Sequence, residues 1–133
     1  MQQITRNDLK NYQKMKILLS DLDEEIEYAY NTYKSPSLSS DGSGRSLSAN
    51  SPVERALRHI KRLDDKRSEI LSKISACNDF VDSIDDYLVQ AICRDHYLKG
   101  YTWEATCLHL RKHSSTSVVI DMANKYFDKV GLK

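Results

Sequence analysis

The chain has 133 residues, 40% of them hydrophobic and 29% charged, which suits one small domain or a small domain on a helical stem. A net charge of +1 excludes a generally basic surface, so any grip on nucleic acid has to be local. No apolar run approaches the roughly 18 residues of a membrane span. The start, Met1 to Asp8, has no apolar stretch behind a basic one and so no signal peptide is expected. Cys77, Cys93 and Cys107 sit at apolar helical positions without a pairing pattern. That usage fits a reducing cytoplasm and no disulfide framework.

Residues 8 to 33 predict a helix. Tyr12, Met15, Leu19, Leu22, Ile26, Ala29 and Tyr33 step alternately by three and four, which is a heptad seam. Asn7 or Asp8 is the expected cap, and the acidic run from Asp21 to Glu27 is expected to be a solvated face. From 35 to 51 serine and glycine dominate, the composition of a flexible loop. Gly42-Ser43-Gly44-Arg45 lacks the preceding strand and the following Gly-Lys-Ser/Thr of a phosphate-binding loop, so that reading is excluded.

Ser51-Pro52-Val53-Glu54 restarts a helix with a capping-box spacing and proline at its first position. A second seam runs through Val53, Ala56, Ile60, Leu63, Arg67, Ile70, Ile74, Cys77, Val81 and Ile84. Only Arg67 interrupts it, and its stem is expected to pack while the guanidinium reaches solvent. Two seamed helices and a loop predict an antiparallel hairpin over 1–84. Leu18, Leu57, Leu71 and Phe80 lie off the seam and are expected to pack a second hairpin in a homodimer. A break is expected between Ser83 and Asp86, with Ser83 or Asp85 capping the next helix.

Residues 85–133 predict three short helices. The first has Leu88, Ala91, Ile92, Tyr97 and Leu98 on its apolar side and stops at Lys99-Gly100. Thr102 caps the second, which begins with Trp103 as a core anchor and turns Thr106, Cys107 and Leu110 to one face. After the polar link Arg111-Lys112-His113-Ser114, Ser115 caps the third. Val119, Met122, Ala123, Tyr126, Phe127 and Val130 form its inward stripe, and Gly131 ends it. The fold class expected is therefore all-α, a long coiled-coil-like helical hairpin followed by a three-helix helix-turn-helix.

The stretch Tyr97-Leu98-Lys99-Gly100-Tyr101-Thr102-Trp103-Glu104, with Leu110, Ser115, Val119, Met122, Phe127 and Val130 behind it, resembles the region-4-like helix-turn-helix of sigma-70 factors. More closely, the chain resembles the ArpU and RinA type of phage late transcription regulators and related small phage proteins. The resemblance implies a DNA-binding regulator of a phage or prophage, working in the cytoplasm of its bacterial host. The last helix would lie in the major groove of double-stranded DNA. Ser115, Thr116, Ser117, Ile120, Asp121 and Asn124 would read base edges, and Arg111, Lys112, His113, Lys125 and Lys129 would hold phosphates.

Ile120 and Asp121 on that same face suit a protein surface better than a groove. The second expectation is therefore an interaction protein that inhibits a host protein, of the anti-CRISPR or anti-defence kind. A terminase small subunit, which also joins a helix-turn-helix to oligomerising helices, is the third. His109 and His113 lie four apart, and Cys93 and His96 three apart, but neither pair has a second partner pair. No metal, no cofactor and no catalytic residue is expected, and the chain is not expected to be an enzyme.

Overall fold

The computed structural model describes residues 3–33, 51–110 and 115–133. The expected loop over 35–51 lies outside them except for Ser51. Among the described residues the secondary structure is helical throughout. It comprises α1 (Arg6–Lys10), α2 (Tyr12–Tyr33), α3 (Pro52–Asp82), α4 (Tyr87–Cys93), α5 (Trp103–His109) and α6 (Thr116–Val130). The last turn after α4, Arg94–Leu98, is a π-helical turn. The long α2 and α3 pack antiparallel, and the shorter α4, α5 and α6 follow them. None of the described helices is long and apolar enough to cross a membrane.

The chain forms two compact units, Ile17–Leu71 and the pair of segments Met1–Lys16 and Ser72–Lys133. In the first, Leu22, Ile60 and Ile70 are buried on the facing seams. Ser51 accepts from the Glu54 amide at 3.1 Å, so the helix restarts as its residues dictate. Arg67 does more than reach solvent. Its guanidinium bonds Asp23 across the pair, and the His59 imidazole lies 3.9 Å from Glu25. The acidic run is thus partly engaged. These half-exposed contacts add little stability, but they tie the middle of α2 to the middle of α3.

The second unit is a head built from both ends of the chain. Leu9, Tyr12 and Met15 are buried in it together with Ile74, Cys77, Val81 and Ile84 of α3. Val89, Ile92, Cys93, Tyr97, Val119, Ala123 and Phe127 complete the core. The first helix starts two residues earlier than expected. Thr5, not Asn7 or Asp8, is the cap, and Asp8 closes a capping box back onto the Thr5 amide at 2.9 Å. The Tyr12 hydroxyl donates to Asn78 at 3.2 Å, and the Gln13 amide donates to the Leu98 carbonyl at 2.5 Å. Residues on either side of 84/85 thus pack into one unit.

Asp86 caps α4 by accepting from the Leu88 and Val89 amides, where Ser83 or Asp85 was expected. Ser83 instead donates to the Phe80 carbonyl at 2.6 Å. The buried face of α4 is Val89, Ile92 and Cys93 rather than Leu88 and Ala91, which are half-buried. Ile92 and Tyr97, five apart, share this face because a π turn is wider than an α turn. Phe80, expected to meet a second copy, is half-buried with its ring 6.1 Å from that of Phe127.

Candidate nucleic-acid interface

α6 is the element on which the functional expectation rests. Val119, Ala123 and Phe127, spaced by four, are buried, and the helix packs on α4 and α5. Its start is capped by backbone geometry alone. Ser115 is extended, and its carbonyl accepts from the Val118 and Val119 amides. Its hydroxyl, expected to cap, lies 2.9 Å from the Ser117 hydroxyl instead. Gly131 ends the helix at φ +76°, a conformation that glycine adopts without strain. The Leu132 amide then reaches the Phe127 carbonyl and the Gly131 amide that of Asp128, a Schellman closure.

This end of α6 is clasped by the first turn of the chain. The Arg6 guanidinium donates to Asp128 at 2.5 Å and to the Leu132 carbonyl at 2.9 Å, and it lies 5.5 Å from the centre of the Phe127 ring. The Arg6 amide donates to the Lys133 carbonyl at 3.1 Å. Nothing local to Arg6 in the sequence announces a partner 122 residues away.

Of the eleven expected contact residues, Arg111, Lys112 and His113 lie outside the described residues. Ser117, Asp121, Asn124, Lys125 and Lys129 are exposed on the side of α6 opposite its buried stripe, and Ser115 is exposed just before it. Thr116 and Ile120 are half-buried, at the flank of the stripe. Ile120 is therefore not the outward residue expected. Val118, 45% exposed, was not expected on this face. Lys125 is held by Asp121 at 3.0 Å on the same face, four residues apart. Val130, expected inward, is exposed at the helix end.

Ile120 and Asn124 also line an open groove of about 600 Å³ with Leu9, Lys10, His96 and Trp103. One wall is a stack of the His96 and Trp103 rings, 3.6 Å between centres and 18° from parallel. Trp103 is thus half-buried against an imidazole rather than a fully enclosed anchor. The His96 Nδ1 donates to the Tyr101 carbonyl at 2.8 Å. Gly100, at φ +80°, makes the turn that brings this carbonyl round, and the Gln13 side chain is already close to where a Cβ would stand.

Below the groove the side chain of Asp95 is sealed from solvent. It accepts from His109 Nδ1 at 2.5 Å, and the Lys99 ammonium lies 3.4 Å away. His109 is therefore occupied as the partner of a buried carboxylate. Among the described residues no group of three or more metal-binding side chains comes together. Burial pushes the Cys93 thiol up to about 12 and the Cys77 thiol up to about 11, which keeps both protonated and poorly nucleophilic.

Burial also lowers the His96 pKa below its ordinary 6.5, against the smaller opposing effect of the Tyr101 carbonyl. The folded head then binds fewer protons than the unfolded chain between the lowered value and 6.5. Its stability from this residue is complete above 6.5 and is lost as pH falls toward the lowered value. Urea titrations from about pH 7.5 to about pH 5 are expected to show this decline, and His96→Phe, which keeps the ring stack, is expected to flatten it.

Comparison with protein families, curated proteins and solved structures found no match to this chain.

Proposed function

We propose that the chain is a DNA-binding transcription regulator of phage or prophage type, whose head holds α6 against double-stranded DNA. The observation that supports this best is the solvent side of α6. Its first turns carry Ser117, Asp121 and Asn124, short side chains with donors and acceptors, while the opposite stripe is locked into the head. A helix that enters a major groove needs such a face near its start. Asn124 has the amide that pairs with adenine, and Asp121 the carboxylate that accepts from cytosine.

Phosphate contact then falls to few cations. Of the expected phosphate contacts among the described residues, Lys125 is already held by Asp121, while Lys129 has no ion pair there; Arg111 and Lys112 of the link are taken to join it. About three phosphate contacts per head give a slope of log K against log salt of roughly −3. Fluorescence titration of duplex fragments of a phage genome at about 50 and about 200 mM salt measures it. Arg111→Ala with Lys112→Ala is expected to bring the slope close to about −1. No affinity at the lower salt overturns the proposal.

A second reading, an interaction protein directed at a host protein, is favoured by one observation. Leu108 on α5 is 79% exposed and Val118 on α6 is 45% exposed, two large apolar side chains at the surface of the head. Loss of a purified host complex on Leu108→Arg, with DNA without effect, would favour this reading over the first.

A further inference from the structure

The groove beside α6 lies wholly within the head unit, with lining residues from 9–13, 96–103 and 120–124. Its volume of about 600 Å³ falls in the range of pockets that hold small molecules, which are mostly apolar and aromatic with a few polar groups. Leu9, Ile120, Tyr101 and Trp103 supply the apolar part. The polar part has charge of one sign. Lys10 lines the groove, is exposed and makes no ion pair among the described residues. Among the described residues no aspartate or glutamate lines it. Asp95 below is sealed and held by His109 and Lys99, and Asp121 of α6 is held by Lys125. Two neutral donors accompany the ammonium. The indole N–H of Trp103 has no acceptor among the described residues, and the exposed Asn124 amide has no partner there either.

We infer that this groove binds a small planar aromatic molecule that carries one carboxylate. The ring lies against the aromatic and aliphatic lining, and the carboxylate accepts a charge-assisted hydrogen bond from the Lys10 ammonium. An aliphatic acid would leave the aromatic wall unused, and a neutral ring would leave Lys10 to water. A cation would meet Lys10 with no lining carboxylate to offset it. Ile120 and Asn124 join the site to α6. A ligand that draws on the Asn124 amide withdraws a group proposed to read DNA, and it brings negative charge beside the phosphates. Ligand and DNA therefore weaken each other by the same factor. This antagonism rests on the proposed function, whereas the binding of the ligand does not.

Heteronuclear NMR of the full chain without DNA tests the site, with cinnamate as the probe. Trp103 is the only tryptophan, so its indole N–H is a single resolved reporter. Its signal and that of the Asn124 side-chain amide are expected to shift saturably, with a Kd of about 1 mM for a ligand of this size. Cinnamamide, which keeps the shape without the charge, is expected to bind about fivefold more weakly. Lys10→Glu is expected to abolish that preference and Lys10→Arg to keep it. Both should leave the circular dichroism unchanged, since Lys10 is exposed. In a second arm, duplex titration at about 50 mM salt is repeated with about 5 mM cinnamate and the total sodium matched. The DNA affinity is expected to fall about fivefold. No saturable shift up to about 10 mM cinnamate, equal binding of the acid and the amide, or a Lys10→Glu chain that binds as the parent does overturns the site. Bound cinnamate with unchanged DNA affinity overturns the antagonism. A chain that binds cinnamate but no DNA keeps the site and removes the proposed function instead.

Discussion

Phe127→Ala is expected to destabilise the head by about 4 kcal/mol, the largest loss from any single truncation in it. The side chain is 1% exposed. Its ring lies 6.1 Å from Phe80 of α3 and 6.1 Å from Tyr97 of the π turn, with the Arg6 guanidinium above it. These neighbours come from three separate segments, each fixed by contacts of its own, so the cavity left behind has no easy way to collapse. A domain of ordinary stability has about 5–15 kcal/mol in total, and a Tm lower by roughly 15 °C is expected at this size. Phe127→Leu keeps most of the volume and should cost about 1.5 kcal/mol. Urea unfolding followed by circular dichroism measures both. A loss below about 1 kcal/mol for the alanine variant would show that the ring is not packed as described.

His109→Ala is expected to cost about 2 kcal/mol although half of its side chain faces water. The reason is the asymmetry of the pair. Asp95 is 2% exposed, and its carboxylate depends on the His109 hydrogen bond at 2.5 Å and on Lys99 at 3.4 Å. Removing the exposed partner strands the buried one with a single distant cation. Removing Asp95 merely releases His109 to solvent. In a double-mutant cycle, Asp95→Ala should therefore cost at least about 1 kcal/mol less in the His109→Ala background than in the parent chain. Additive losses would mean that the two side chains act independently.

Helix ends and local stripes were legible in the sequence because their causes lie within a few residues. Ser51, Pro52 and Glu54 start α3. Thr102 caps α5 by accepting from the Ala105 amide, and Gly100 and Gly131 take left-handed conformations. The seams and the Val119, Ala123, Phe127 stripe arise from helical spacing alone. The features that were not legible depend on distant parts of the chain. The burial of Asp95 needs His109, fourteen residues on and in another helix. The half-burial of Ile120 and its place in a groove depend on the N-terminal turn around Leu9 and Lys10. Tyr97 falls on the face of Ile92, five residues back, because the turn between them is wider than an α turn, and no local pattern distinguishes the two. Of the candidate contact residues, the exposure of Ser117, Asp121, Asn124, Lys125 and Lys129 is set by the period of α6. The ion pair that partly neutralises Lys125 is a matter of side-chain geometry that spacing allows but does not require.

The clasp of Arg6 on Asp128, Leu132 and Lys133 also has a consequence for biosynthesis. A segment made early is held by one made 122 residues later. Until residues 127–133 have emerged, Arg6 and its neighbour Leu9 wait without the surfaces that bury them. A stalled nascent chain cut short before Phe127 should therefore be sticky and protease-sensitive around Arg6 and Leu9, and a chain extended through residue 133 should lose that sensitivity.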